Sequence, residues 1–106
     1  MEEITLNRKN PFETILYEMV MIHRNKNADY SQEGLFGNFK ESEVIGIADY
    51  LGAFVRLQDK YTRACNLIKG RDPKVQNEKL EDTLIDLANY AVIVLALKKQ
   101  KELEDE

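Results

Sequence analysis

The stretch EKLEDTLIDLANYAVIVLAL, from Glu78 to Leu97, decides how the rest of the chain is read. It contains no Pro or Gly, and from Ile85 to Leu97 it is apolar on almost every side. A helix of that kind is enclosed by neighbours, either its own bundle or another subunit. Asp86 and Asn89 nevertheless sit inside the run. With about 100° of rotation per residue, Glu78, Asp82, Asp86 and Asn89 fall in one stripe about 80° wide. An unpaired carboxylate is costly to bury, so a buried acid needs a cation, a metal or a hydrogen-bond donor beside it. Three readings of the stripe stay open: a solvated face, a structural salt bridge across a helix interface, or polar groups lining a wet crevice.

The totals place this helix in a small all-α protein. A chain of 106 residues supports one domain, residues 1–106, with 1–9 and 99–106 expected as loose termini. The hydrophobic fraction of 43% suits a globular chain, while only two prolines, five glycines and little strand-type alternation point to helices. A net charge of −4 without a basic block argues against duplex nucleic acid as a partner, but leaves room for a small anion met by local cations. The single cysteine, Cys65, cannot form an internal disulfide and suggests a reducing compartment; it reads as a packed core thiol. His23 is the only histidine and has no Cys or His companion for zinc. No apolar run reaches the roughly 20 residues a bilayer span needs, and the acidic Met1-Glu2-Glu3 opening is unlike a signal peptide. The expectation is a cytoplasmic protein with no membrane partner.

Upstream, Asn10-Pro11-Phe12-Glu13 is a helix start, with Asn as N-cap, Pro at the first helical position and Glu at the third. Phe12, Ile15, Leu16, Met19 and Ile22 follow at helical spacing, and the helix should end near Asn25 or Asn27. A long loop from Lys26 to Phe39 comes next, broken by Gly34 and Gly37. Its Tyr30, Phe36 and Phe39 either anchor it to the core or offer a flat face to a base. Ser42 then caps a second helix predicted from about Glu43 to Lys69, stopped by Gly70. Its core face is predicted as Val44, Ile47, Leu51, Phe54, Val55, Tyr61 and Cys65, with Gly46 and Gly52 permitting close approach of another backbone. On a different face, Arg56, Asp59, Lys60 and Arg63 fall within an arc of about 100°. They form either a self-neutralising surface or a phosphate site in which Asp59 orients a cation, since the planar Arg fork matches phosphate oxygens. A connection through Arg71-Asp72-Pro73 leads to the third helix at Asn77 or Glu78, and the charged tail after Lys98 is expected to fray. The fold expected is a small antiparallel bundle of three main helices. The apolar surplus on the third helix predicts a homo-oligomer with that helix at the interface.

Four pieces, KNADY, RLQDKYTRACNL, the acidic lead-in at Glu78, and EDTLIDLANYAV, together resemble the first type of nucleotide-modification-associated domain, a family of small proteins common in bacteriophages. The resemblance spans roughly residues 20 to 97. It rests on Lys26, Asp29 and Tyr30, on Arg56, Asp59, Lys60 and Arg63, and on Glu81, Asp82, Asp86, Asn89 and Tyr90. It implies an all-α phage protein that deals with nucleotides, working in an infected bacterial host. A more distant likeness is to the all-α nucleoside triphosphate pyrophosphatases, the MazG and dimeric dUTPase group. Those enzymes gather Mg²⁺ on acids from two helices, an ExxE and an ExxD pair. Here Asp82 and Asp86 could supply half such a site, but Glu13 and Glu18 are five apart and do not stack.

Two functions from different classes follow. In the first, a non-catalytic binder without cofactor holds a free, modified or cyclic nucleotide, including one that signals host defence. Arg56, Lys60 and Arg63 take its phosphates, the Tyr30 loop closes over the base, and Asp86 and Asn89 read polar groups on the base or ribose; Lys26, Asp29, Asp59 and Tyr90 join the ligand-binding set through the resemblance. In the second, a Mg²⁺-dependent nucleotide pyrophosphatase or phosphohydrolase holds its metal on Asp82 and Asp86, with Glu78 or Glu81 completing the shell. A third reading, a helical adaptor that binds only protein, treats the polar stripe as a specificity device.

Overall fold

A computed structural model describes residues 3–29, 43–70 and 73–104, without the side chains of 26–29 and 73–78. Three helices carry it: α1 (Pro11–Asp29), α2 (Asp49–Ile68) and α3 (Pro73–Glu104). No strand occurs among the described residues.

The start of α1 follows from its local chemistry. Asn10 Oδ1 accepts the backbone N–H of Phe12 at 2.9 Å, satisfying one of the orphan amides of the first turn. Glu13 reaches further back than a capping box does, its Oε1 accepting the backbone N–H of Asn7 at 3.1 Å. Thr14 Oγ1 donates to the carbonyl of Arg8 at 2.8 Å, and the Arg8 guanidinium lies 4.4 Å from the centroid of the Tyr17 ring. Residues 7–10 are thus tied to the helix they precede.

The second helix begins later than predicted. Glu43–Ile45 forms a single 3₁₀ turn, closed by a hydrogen bond from Gly46 N to Glu43 O at 3.0 Å. Gly46 then takes φ +82°, a left-handed conformation open to glycine at little cost. A Cβ placed there would meet none of the described residues within 4 Å, so among them this glycine serves the turn and not a close backbone approach. Ala48 is the N-cap of α2 and makes no side-chain cap bond; Asp49 supplies negative charge to the first turn instead. At the other end Lys69 N bonds Cys65 O and Gly70 N bonds Leu67 O, both at 3.2 Å.

The third helix begins at Pro73, ahead of the expected Asn77 or Glu78, and continues to Glu104. Its 32 residues extend about 48 Å at 1.5 Å per residue. It packs chiefly against α2, and the contacts step down α3 as they step up α2: Ala53 with Leu97, Lys60 with Asp86, Arg63 with Thr83. The buried core is small. Ala53 and Leu97 are 0% and 1% exposed, with Tyr50, Ile93, Val94 and Ala96 packed around them.

One expectation is reversed. The side of α2 that looks like its core face, Leu51, Phe54, Val55 and Tyr61, is turned outward, with Phe54 51% exposed. The inward side carries Asp49, Ala53 and Ala64, with Lys60 half-buried beside them. To this side α3 presents a seam that carries Thr83 and Asp86. The side of α2 that can answer those groups is the one bearing Lys60 and Arg63, and the small side chains of Ala53 and Ala64 let the helices approach closely there. Cys65 lies half-buried on the outward side of α2, not in the core. On α1, likewise, Met19 is buried but Phe12, Ile15 and Leu16 are exposed.

Candidate functional site

The flank of α2 between its inward and outward sides carries the basic cluster. Arg56, Asp59, Lys60 and Arg63 line one crevice of about 1160 Å³. Across it stand Lys79 and Tyr90 from α3, and Ile47, Leu51 and Val55 form an apolar lip. Four cations and one acid thus border a single hollow, giving it a positive balance against a chain charge of −4.

Two contacts fix the inner edge. Lys60 Nζ lies 3.2 Å from Asp86 Oδ2, both side chains about one-third exposed at 32% and 37%. Arg63 Nε donates to Thr83 Oγ1 at 3.3 Å, and Thr83 is buried. That bond uses Nε alone, so the terminal guanidinium nitrogens are not committed to Thr83. The acidic stripe of α3 therefore meets the basic flank of α2 at Asp86, through a salt bridge across a helix interface. Ion pairs this exposed contribute about 0–1 kcal/mol, so the pair sets register and charge placement more than stability.

The remaining candidate residues separate. Asn89 does not join the cations; it lines a second hollow of about 390 Å³ between α1 and α3, with Leu16, Met19, Val20, His23 and Val92. The 300° of rotation from Asp86 to Asn89, about 60° the short way round, is enough to move it from the α2 seam to the α1 side. Its Nδ2 is buried there without a hydrogen-bond partner among the described residues. Asp82 is exposed and borders neither hollow, and Glu81 is exposed as well. Lys26 and Asp29 fall in the last turn of α1 with side chains outside the described residues, and Tyr30 lies outside them altogether. The described residues contain no group of three or more His, Cys, Asp or Glu side chains placed to hold a metal ion.

Sequence reasoning missed three residues. Lys79 and Thr83 were legible in principle, because 79, 83, 86 and 90 follow the 4-3-4 spacing of one packed helix seam. Asp49 gave no such signal. Only 4% exposed, it keeps Oδ1 without a hydrogen-bond partner among the described residues at the start of α2. Elsewhere on α2 the Tyr61 phenol has its pKa raised from the ordinary value, first by a hydrogen bond with the Cys65 thiol and then by the charge that thiol can carry.

No family model matches the chain, and no curated protein or solved structure is significantly similar to it. No helix among the described residues is long and apolar enough to cross a membrane.

Proposed function

We propose that this chain is a small phage-type nucleotide-binding protein that holds a free, modified or cyclic nucleotide without turning it over. The observation that carries the reading is the gathering of Arg56, Lys60 and Arg63 around one crevice that also offers Tyr90 and an apolar lip. Arg forks and a Lys ammonium suit phosphate oxygens, and charge-assisted hydrogen bonds of this kind are the strong ones. Ile47, Leu51 and Val55 give a base an apolar surface, while Asp59 and Asn66 stand ready for polar groups of base or ribose. Asp86 acts here by holding Lys60 in place rather than by touching ligand. Lys26, Asp29 and Tyr30 enter only through the resemblance to the nucleotide-modification-associated family; a nucleotide that signals host defence is one ligand that a phage could hold in this way. A closed antiparallel bundle and a homo-oligomeric state belong to the same proposal.

The test incubates the protein with ATP, dTMP and 3′,5′-cyclic AMP in the presence of Mg²⁺, then denatures it and recovers the ligand. Thermal stabilisation with release of intact nucleotide is the expected result. Release of diphosphate or monophosphate products contradicts holding and favours the pyrophosphatase alternative, in which Asp82 and Asp86 take Mg²⁺. No stabilisation by any linear or cyclic nucleotide leaves the protein-binding adaptor.

A further inference from the structure

We propose that the crevice is preset for a nucleotide ending in a free phosphate, and that Thr83 is the residue that presets it. The proposal rests on the nucleotide reading for base and ribose; the anion cradle itself rests on two contacts. Arg63 Nε donates to Thr83 Oγ1 at 3.3 Å, and Thr83 is only 3% exposed, so water has little access to take its place. A guanidinium is planar and rigid, so restraining Nε restrains the two terminal nitrogens as well. Arg63 lines the crevice, and those nitrogens are the fork that matches two phosphate oxygens. Lys60 is held in the same manner, its Nζ 3.2 Å from Asp86 Oδ2, and an ammonium keeps further donors beyond that bond. Thr83 and Asp86 stand three apart on α3, where side chains are neighbours about 5–6 Å from each other. The two cationic heads are therefore brought to adjacent points along one seam.

Charge and donor number select the ligand. Arg56, Lys60, Arg63 and Lys79 border the crevice; Asp59 borders it too, and Asp86 faces Lys60. Four cations less two acids leave a balance of two positive charges. A terminal phosphate carries about −1.5 to −2 at pH 7 and offers three acceptor oxygens. A cyclic phosphodiester carries a single negative charge and offers two such oxygens, so it leaves a cation and a donor unanswered. Charged donors left without an acceptor in a partly enclosed site are costly. Thr83 touches no phosphate in this arrangement; it is a positioning residue that acts through Arg63.

Titration calorimetry tests this with matched pairs, AMP against 3′,5′-cyclic AMP and dTMP against 3′,5′-cyclic dTMP, with inorganic phosphate as the minimal probe. The wild type should bind the monophosphate of at least one pair about tenfold or more tightly than its cyclic partner, the loss expected for one charged hydrogen bond. Thr83→Val, nearly the same shape without the hydroxyl, should shrink that ratio severalfold, and Thr83→Ser should restore it. A side chain that only stabilised the fold would weaken both members of a pair alike. If Thr83→Val loses helicity, Arg63→Lys replaces it, keeping the charge without the fork, with the same narrowing expected. Cyclic nucleotides bound as tightly as their monophosphates overturn the proposal and leave the nucleotide reading standing. A ratio unchanged in folded Thr83→Val overturns the role of Thr83. Inorganic phosphate bound as tightly as any nucleotide counts against the nucleotide reading and keeps the cradle. Absence of binding by phosphate and by all four nucleotides overturns the cradle.

Discussion

The two sides of α2 differ in a way that inverts ordinary expectation. The side facing α3 is small and polar, with Asp49, Ala53, Lys60 and Ala64, while the side facing away is large and apolar, with Leu51, Phe54, Val55 and Tyr61. A helix serving only its own fold would turn the second side inward, because burying a Leu or Phe side chain contributes about 1.5–3 kcal/mol. Here the inward side is the one whose small Ala53 and Ala64 leave room for α3, with Ala53 packed on Leu97. Arg63 and Lys60 meet Thr83 and Asp86 across the same seam. The difference teaches that hydrophobic periodicity identifies a helix and its apolar stripe, but not which neighbour that stripe meets.

The sharpest way to break this comparison is to damage each side in turn. Leu97→Ala empties a site that is 1% exposed and should cost about 2–5 kcal/mol in urea unfolding. Leu51→Ala, measured at a concentration low enough to hold single chains, should cost under about 1 kcal/mol, as surface changes do. Equal losses would mean that the outward stripe is already part of a single chain's core. On the flank between the two sides, Arg56→Ala should weaken a phosphate ligand by about 1.5–3 kcal/mol, read by titration calorimetry against the wild type. Unchanged affinity would remove Arg56 from the phosphate assignment.

A smaller effect sharpens the account of the seam. A double-mutant cycle with Lys60→Met and Asp86→Asn should give a coupling of at most about 1 kcal/mol, since both groups keep a third of their exposure. A much larger coupling would show the pair to be desolvated in solution, as an oligomer closing over it would produce.

The faintest signal lies on the outward side. Tyr61 holds its proton more tightly when folded, so its contribution to stability is present below the unfolded phenol pKa near 10 and is lost as pH rises through the folded value. In a spectrophotometric titration one of the five tyrosines should ionise late, and Cys65→Ser should bring it back toward the others.

These contrasts also show what the chain reveals of itself before it folds. The start of α1 is readable because Asn10-Pro11-Phe12-Glu13 is local chemistry, complete within four residues. The helical character of α3 is readable from an unbroken apolar run. The shared flank of Arg56, Asp59, Lys60 and Arg63 follows from spacing alone, and the structure places all four along one crevice. The inward side of α2 was not readable, because Ala53 and Ala64 carry little hydrophobic signal and their value lies in letting α3 come close. The departure of Asn89 toward α1 likewise depends on tertiary neighbours, whereas the positive φ of Gly46 belongs to a local turn inside what reads as one unbroken helix. Resemblance supplied Tyr90 and the loop residues, and of these only Tyr90 falls where the described side chains can be compared with the crevice.

The central claim is that the flank of α2 and the seam of α3 together form a nucleotide site. Amide shifts of ¹⁵N-labelled protein, followed while ATP, dTMP and 3′,5′-cyclic AMP are added in turn to millimolar concentration, test it most directly. The account predicts the largest changes at Arg56, Asp59, Lys60, Arg63 and Tyr90 with at least one of the three. Silence at those positions, or changes confined to Leu16, Met19, His23 and Asn89 beside α1, would contradict it.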